Sequence, residues 1–178
     1  MQKIKLSEKI ILFLLVGFGI LIPLQNGDAN AQQNADPTLN PYNTVQYQRL
    51  TLQKLVSDPE LGDFSKPNEL ELSPLSTVES NIARNLHSHW AWPEHTLDMI
   101  DGYSPFLFRT KKSQQLNEVK VLLAVNSKGR VSGFEIIGDV DKGLRERLDH
   151  VIRKIPDCKP VPGYAVYGSE QFELTIKK

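Results

Sequence analysis

The sequence predicts an α+β fold, a small, mainly antiparallel sheet with one or two helices packed on one face. Three observations carry that prediction. Val119, Val121, Leu123 and Val125 alternate along one side of a segment bracketed by Lys120 and Asn126, the period of a strand with a buried face. Leu144, Leu148, Val151, Ile152 and Ile155 recur at helical spacing, with Arg145, Glu146, Arg147, Asp149, Arg153 and Lys154 on the other side. Phe172, Leu174 and Ile176 then alternate with Gln171, Glu173 and Thr175 as a last strand. A helix with one apolar stripe must lie across such strands, which gives two layers.

The chain opens with Lys3, Lys5 and Lys9, an uncharged apolar run from Ile10 to Leu24, and small residues at Ala29-Asn30-Ala31. This is the three-part pattern of a secretory signal, so residues 1–31 are read as a signal peptide cleaved after Ala31. The rival reading is a short uncleaved anchor. Fifteen residues at about 1.5 Å each reach only about 22 Å, short of a hydrocarbon core of about 30 Å. The expected location is therefore exported, with a form anchored in the membrane by the N-terminal segment as the alternative. Removing residues 1–31 takes three lysines and two acids from balanced totals of 21 and 21, leaving 18 basic against 19 acidic groups. No nucleic-acid partner is implied, and a membrane contact only if the N-terminal segment is retained.

Residues 32–75 read as a leader and extended connector. Gln32 to Pro41 is mostly Gln, Asn, Asp and Pro, with little to bury. Between Thr44 and Val56, the residues Val45, Leu52, Leu55 and Val56 predict a helix, although Leu50 falls off its apolar face. Asp58-Pro59, Gly62, Lys66-Pro67 and Ser73-Pro74 then break the chain, with a short strand expected at Leu70 to Leu72.

Residues 76–178 read as the folded domain. Ser76-Thr77-Val78-Glu79 has the spacing of a capping box, so a helix starts there, with Val78, Ile82, Leu86 and Trp90 as its stripe and Pro93 as its end. A helical turn from Glu94 to Ile100 closed by Gly102, a strand or buried anchor at Phe106-Leu107-Phe108, and a polar loop from Lys111 to Asn117 follow. Asn126-Ser127-Lys128-Gly129 turns the first long strand into Val131 to Ile137, with Phe134 and Ile136 on one face and Val131 and Ile137 on the other. Asp139 or Asp141 caps the helix that runs to Ile155, and Pro156 stops it. Pro160, Pro162 and Gly163 steer a crossing segment to the last strand.

Few residues propose chemistry. His87, His89 and His95 lie near Trp90 and Trp92, but their spacing matches no standard zinc pattern, and residues two apart on a helix point in different directions. A small envelope metal protein or enzyme built on these histidines is the weakest reading. Glu94, Asp98 and Asp101 read as helix-start carboxylates. Cys158 is the one cysteine, hence without an internal disulfide partner, and reads as a small buried apolar residue. No nucleophile elbow, phosphate-cradling glycine loop or paired-cysteine ribbon occurs, so no enzyme activity and no cofactor are expected.

The strand Val119 to Val125, the turn Lys128-Gly129, the strand Val131 to Ile137, the helix Leu144 to Ile155, Pro156-Asp157-Cys158-Lys159-Pro160, Gly163 with Val166, and the strand Phe172 to Ile176 follow one another in an order that resembles the C-terminal domain of TonB-family proteins. Trp92-Pro93 looks like the aromatic-Pro pair that follows the family's preceding helix, and Cys158 stands where the family has an aromatic residue. The resemblance is firmest over residues 119–178 and weaker from about residue 90. It implies a periplasmic module that binds an envelope protein or peptide by strand addition, here along Gln171, Phe172, Glu173, Leu174, Thr175 and Ile176. It also implies that the compartment of export is the periplasm, and that the anchored alternative sits in the inner membrane facing the periplasm. Two alternatives remain at that edge, coverage by the chain's own leader and pairing with a second copy as a homodimer. A membrane-anchored energy transducer for outer-membrane transport is the alternative function, but the long Pro-rich spacer that such a protein resembles is not seen here.

Overall fold

A computed structural model describes residues 43–56 and 63–178, all within one unit spanning Asp36–Lys178. The signal segment, the Gln32 to Pro41 leader, and the breakers Asp58-Pro59 and Gly62 lie outside the described residues. In chain order the elements are β1 (Thr44–Tyr47), β2 (Leu50–Lys54), β3 (Phe64–Ser65), α1 (Thr77–Leu86), β4 (Trp90–Ala91), α2 (Thr96–Leu107), β5 (Glu118–Val125), β6 (Val131–Ile137), α3 (Lys142–Ile152), β7 (Lys159–Pro160), β8 (Tyr167–Gly168) and β9 (Glu170–Lys177). Five strands form one antiparallel sheet in the order β1-β2-β9-β5-β6, and β3-β8 and β4-β7 make two small ladders. The fold is α+β.

The helix expected between Thr44 and Val56 is a β-hairpin instead. Val45 pairs with Leu52 and Tyr47 with Leu50, so the apolar residues share a face at a period of two. Leu50, the residue that does not fit a helical stripe, is 1% exposed on that strand face, as is Leu52. The sheet thus takes two of its five strands from the stretch read as a leader. No strand forms at Leu70 to Leu72; a 3-10 turn at Pro67–Glu69 precedes irregular chain there, and Leu72 is exposed.

The capping box is formed as expected. Ser76 Oγ accepts the Glu79 N–H at 3.2 Å, and the Glu79 carboxylate accepts the Ser76 N–H at 2.9 Å. The helix ends at Leu86, well before Pro93, because His87 turns left-handed at φ 49° and bonds back to the carbonyls of Ala83 and Arg84. Trp90 is therefore on β4, not on the helix stripe, and Val78 is exposed. The short turn expected after Glu94 is a twelve-residue helix, α2, which passes through Gly102 and Pro105 and ends at Leu107 with Phe108 packed after it. No strand forms at Phe106-Leu107-Phe108; Phe106 and Leu107 end the helix, Phe108 caps it, and the burial of Leu107 and Phe108 matches the other expectation, a buried anchor.

β5 and β6 form the expected hairpin. Gly129 has φ 80°, and a Cβ there would collide with the Cys158 carbonyl oxygen and sit 2.8 Å from the Trp90 ring, so this turn requires glycine for space as well as conformation. A bulge between Ala124 and Val125 sets Val131 opposite Val125, and Val131 packs against the core with Phe134, not on the face of Ile137. Asp141, not Asp139, caps α3 by accepting the Leu144 N–H. The helix stops at Ile152, three residues ahead of the expected end. Buried residues of α1, α2 and α3 join Leu50, Leu52, Val121, Leu123, Phe172 and Leu174 in one core, which places the helical layer on one face of the sheet.

Candidate binding edge

The edge expected along the last strand is closed. β9 is the central strand, where Phe172, Glu173, Leu174, Thr175 and Ile176 face Lys54, Gln53, Leu52, Thr51 and Leu50 on one side and Leu123, Leu122, Val121, Lys120 and Val119 on the other. Gln171 pairs with Ala124, and its carbonyl accepts the Leu55 N–H at 2.8 Å. A partner strand would reach this side only by displacing β2. Lifting β2 would expose Leu50 and Leu52, at about 1.5–3 kcal/mol for each side chain. Coverage by the chain's own residues, raised as an alternative for this edge, is what the structure has.

The sheet instead ends at β1 and β6. β1 is four residues long and packs near α1. β6 is seven residues long, and among the described residues no strand pairs with its outer side. Ser132, Gly133, Glu135 and Ile137 are exposed along it, Ile137 by 45%. Beside this edge lies a groove of about 350 Å³ between β6 and α3, lined by Val131, Ser132, Gly133, Phe134, Ile152 and the Asp149–Arg153 pair. Phe134 and Ile152 give it an apolar floor, and Arg153 Nε donates to Asp149 Oδ2 at 2.7 Å on the rim. Backbone on one side and an apolar wall on the other is the geometry that accepts an extended chain. Periodicity identifies β6 as a strand but not as an edge, because edge status follows from the register of β9 between β2 and β5.

The histidines separate into different jobs. His87 ends α1, His95 precedes α2, and His89 enters a buried polar cluster. Among the described residues no group of three His, Cys, Asp or Glu side chains is placed to hold a metal ion, so His87, His89 and His95 do not converge. In the cluster Glu170 is 3% exposed and accepts from Lys54 Nζ and Ser88 Oγ, with His89 Nδ1 at 2.9 Å. Burial opposes ionisation of Glu170 most strongly, yet the hydrogen bonds of His89, Lys54 and Ser88 together hold its carboxyl below the usual range. His89 Nε2 faces the Gly168 carbonyl at 2.9 Å, and Lys54 also donates to the His87 carbonyl. Ser88 Oγ is taken up by Glu170 and by the backbone of Trp90, so it is not aimed at a substrate. The cluster ties β2, the turn after α1 and β9 together.

Two further groups are structural. The Cys158 thiol is pushed up by burial first and by Asp157 next, which disfavours the reactive thiolate. A smaller cleft of about 290 Å³ is lined by Arg49, Ser104, Pro105, Phe108, Gln114 and Lys178. Its arginine is engaged bidentately by Asp101. Among the described residues no helix is long and apolar enough to cross a membrane. Comparison with protein-family models, with curated proteins and with solved structures finds no match to this chain.

Proposed function

We propose that this chain is an exported, non-enzymatic protein-interaction module of the bacterial cell envelope, with a TonB-like C-terminal domain, that adds an extended segment of a partner protein to the β6 edge of its sheet. The carrying observation is the coincidence of seven residues of strand, unpaired on one side among the described residues, with the groove between β6 and α3. Main-chain hydrogen bonds along β6 supply affinity, and the groove supplies selection among side chains. The reading of export rests on the N-terminal Lys-rich, apolar and small-residue pattern. The order of elements over residues 119–178 supports the family resemblance.

A photo-crosslinking residue placed at Ile137, with one at Gln171 as control, tests this in exporting cells. The expected result is a heterologous adduct from position 137 that maps to one extended segment of an envelope protein. Adducts only between copies of the chain, or an identical set from both positions, would overturn it. Mass analysis of the mature N-terminus tests export in parallel, with Gln32 as the expected first residue.

A further inference from the structure

We infer that the segment taken by the β6 edge carries a large apolar residue and a basic residue at odd spacing, adjacent or three apart, the apolar side chain entering the groove and the basic one meeting Glu135. This inference rests on the strand-addition reading above. An added strand presents alternate residues to the two faces of the sheet. Phe134 lies opposite Leu123, which is 1% exposed on the helix-covered face, and the groove opens there between Phe134 and Ile152. Glu135 lies opposite Leu122, on the solvent face. The groove and the carboxylate are therefore read by residues of opposite parity.

The charge pattern names the occupant. Around the edge, Arg153 pairs with Asp149 and Arg130 with Asp157, so these charges are answered locally. Lys120, the cation on the same face of β5, is engaged by Glu173 at 3.5 Å. Glu135 has no ion pair among the described residues, and it is the only charged residue in Val131–Ile137. A second copy pairing β6 with β6 would bring two such carboxylates and no cation into the new ladder. A Lys or Arg on a foreign strand instead forms the opposite-charge cross-strand pair that stabilises sheets. Gly133, opposite Ala124 on the same face as Glu135, leaves room for the basic side chain, since a Cβ at that position would meet nothing within 4 Å. A large apolar side chain fits the scale of the groove.

The test uses the full chain and three eight-residue synthetic peptides of threonine and serine, read by fluorescence anisotropy. The first carries leucine next to lysine, the second carries them two apart, and the third carries leucine next to glutamate. The expected order is the first tightest, the second about tenfold weaker because one group faces the wrong side, and the third about 3- to 10-fold weaker. Glu135→Lys, an exposed edge substitution that thermal melting will report as folded, reverses the preference between the first and third peptides. Equal binding of all three, or a preference unmoved by Glu135→Lys, overturns the inference while leaving strand addition standing. Binding of none also overturns it, and the crosslink from position 137 judges the parent reading separately.

Discussion

The Arg49 guanidinium grips both ends of Asp101, donating from Nε and Nη2 to the carboxylate at 3.0 and 2.8 Å and from Nη2 to the main-chain carbonyl at 3.3 Å. That carbonyl would ordinarily accept the N–H of the residue four positions later in α2, which is Pro105 and has none. The β1–β2 turn thus supplies the donor that proline withholds. Arg49→Met is predicted to cost about 1–2 kcal/mol, an amount tempered by the arginine's partial exposure. With Pro105→Ala already present, the alanine N–H can return to the carbonyl, and the loss shrinks by about 0.5–1 kcal/mol. Urea unfolding of the four proteins measures this coupling, and equal losses in both backgrounds would contradict it.

Glu170 is the anchor of the buried polar cluster. Glu170→Gln leaves Lys54 without its buried counter-charge and is predicted to lower stability by about 2–4 kcal/mol in denaturant titrations near neutral pH. Because the folded carboxyl titrates below its unfolded value, its contribution is fully present above a pH of about 4.3 and is lost as pH falls through the folded pKa. Asp101, held low chiefly by the Arg49 hydrogen bond, adds to the same acid limb. The acid limb of the stability profile should be shallower in Glu170→Gln than in the parent; an unchanged slope would count against the cluster.

Gly129→Ala tests the hairpin turn. The added methyl meets the Cys158 carbonyl and the Trp90 ring at positive φ, so a loss of about 2–4 kcal/mol is expected from thermal or chemical unfolding. Gly133→Ala, on the same hairpin but with open space around the new Cβ, should be neutral or slightly stabilising. Similar losses for the two would contradict this packing account.

The elements whose signals are local were legible in the sequence. Ser76 and Glu79 cap α1, Gly129 makes the turn, and β6 spans the expected Val131–Ile137. Signals that depend on partners were not. Leu50 spoils a helical wheel yet fits a strand, and only its pairing with Tyr47 and Ile176 decides between them. Gly102 reads as the close of a short turn, yet α2 runs on through Pro105 to Leu107, with Arg49 answering the carbonyl that the proline strands. The free edge was misplaced for the same reason, since Phe172 to Ile176 looks terminal in sequence while β2 and β5 enclose it in space.

Amide hydrogen exchange of the full chain, with and without the peptide that carries leucine next to lysine, tests strand addition at β6 most directly. The account predicts slower exchange confined to residues 133–137, with 50–54 and 171–176 unchanged. Slower exchange at 171–176 accompanied by faster exchange at 50–54 would contradict it, because the ligand would then be displacing β2 and pairing with β9.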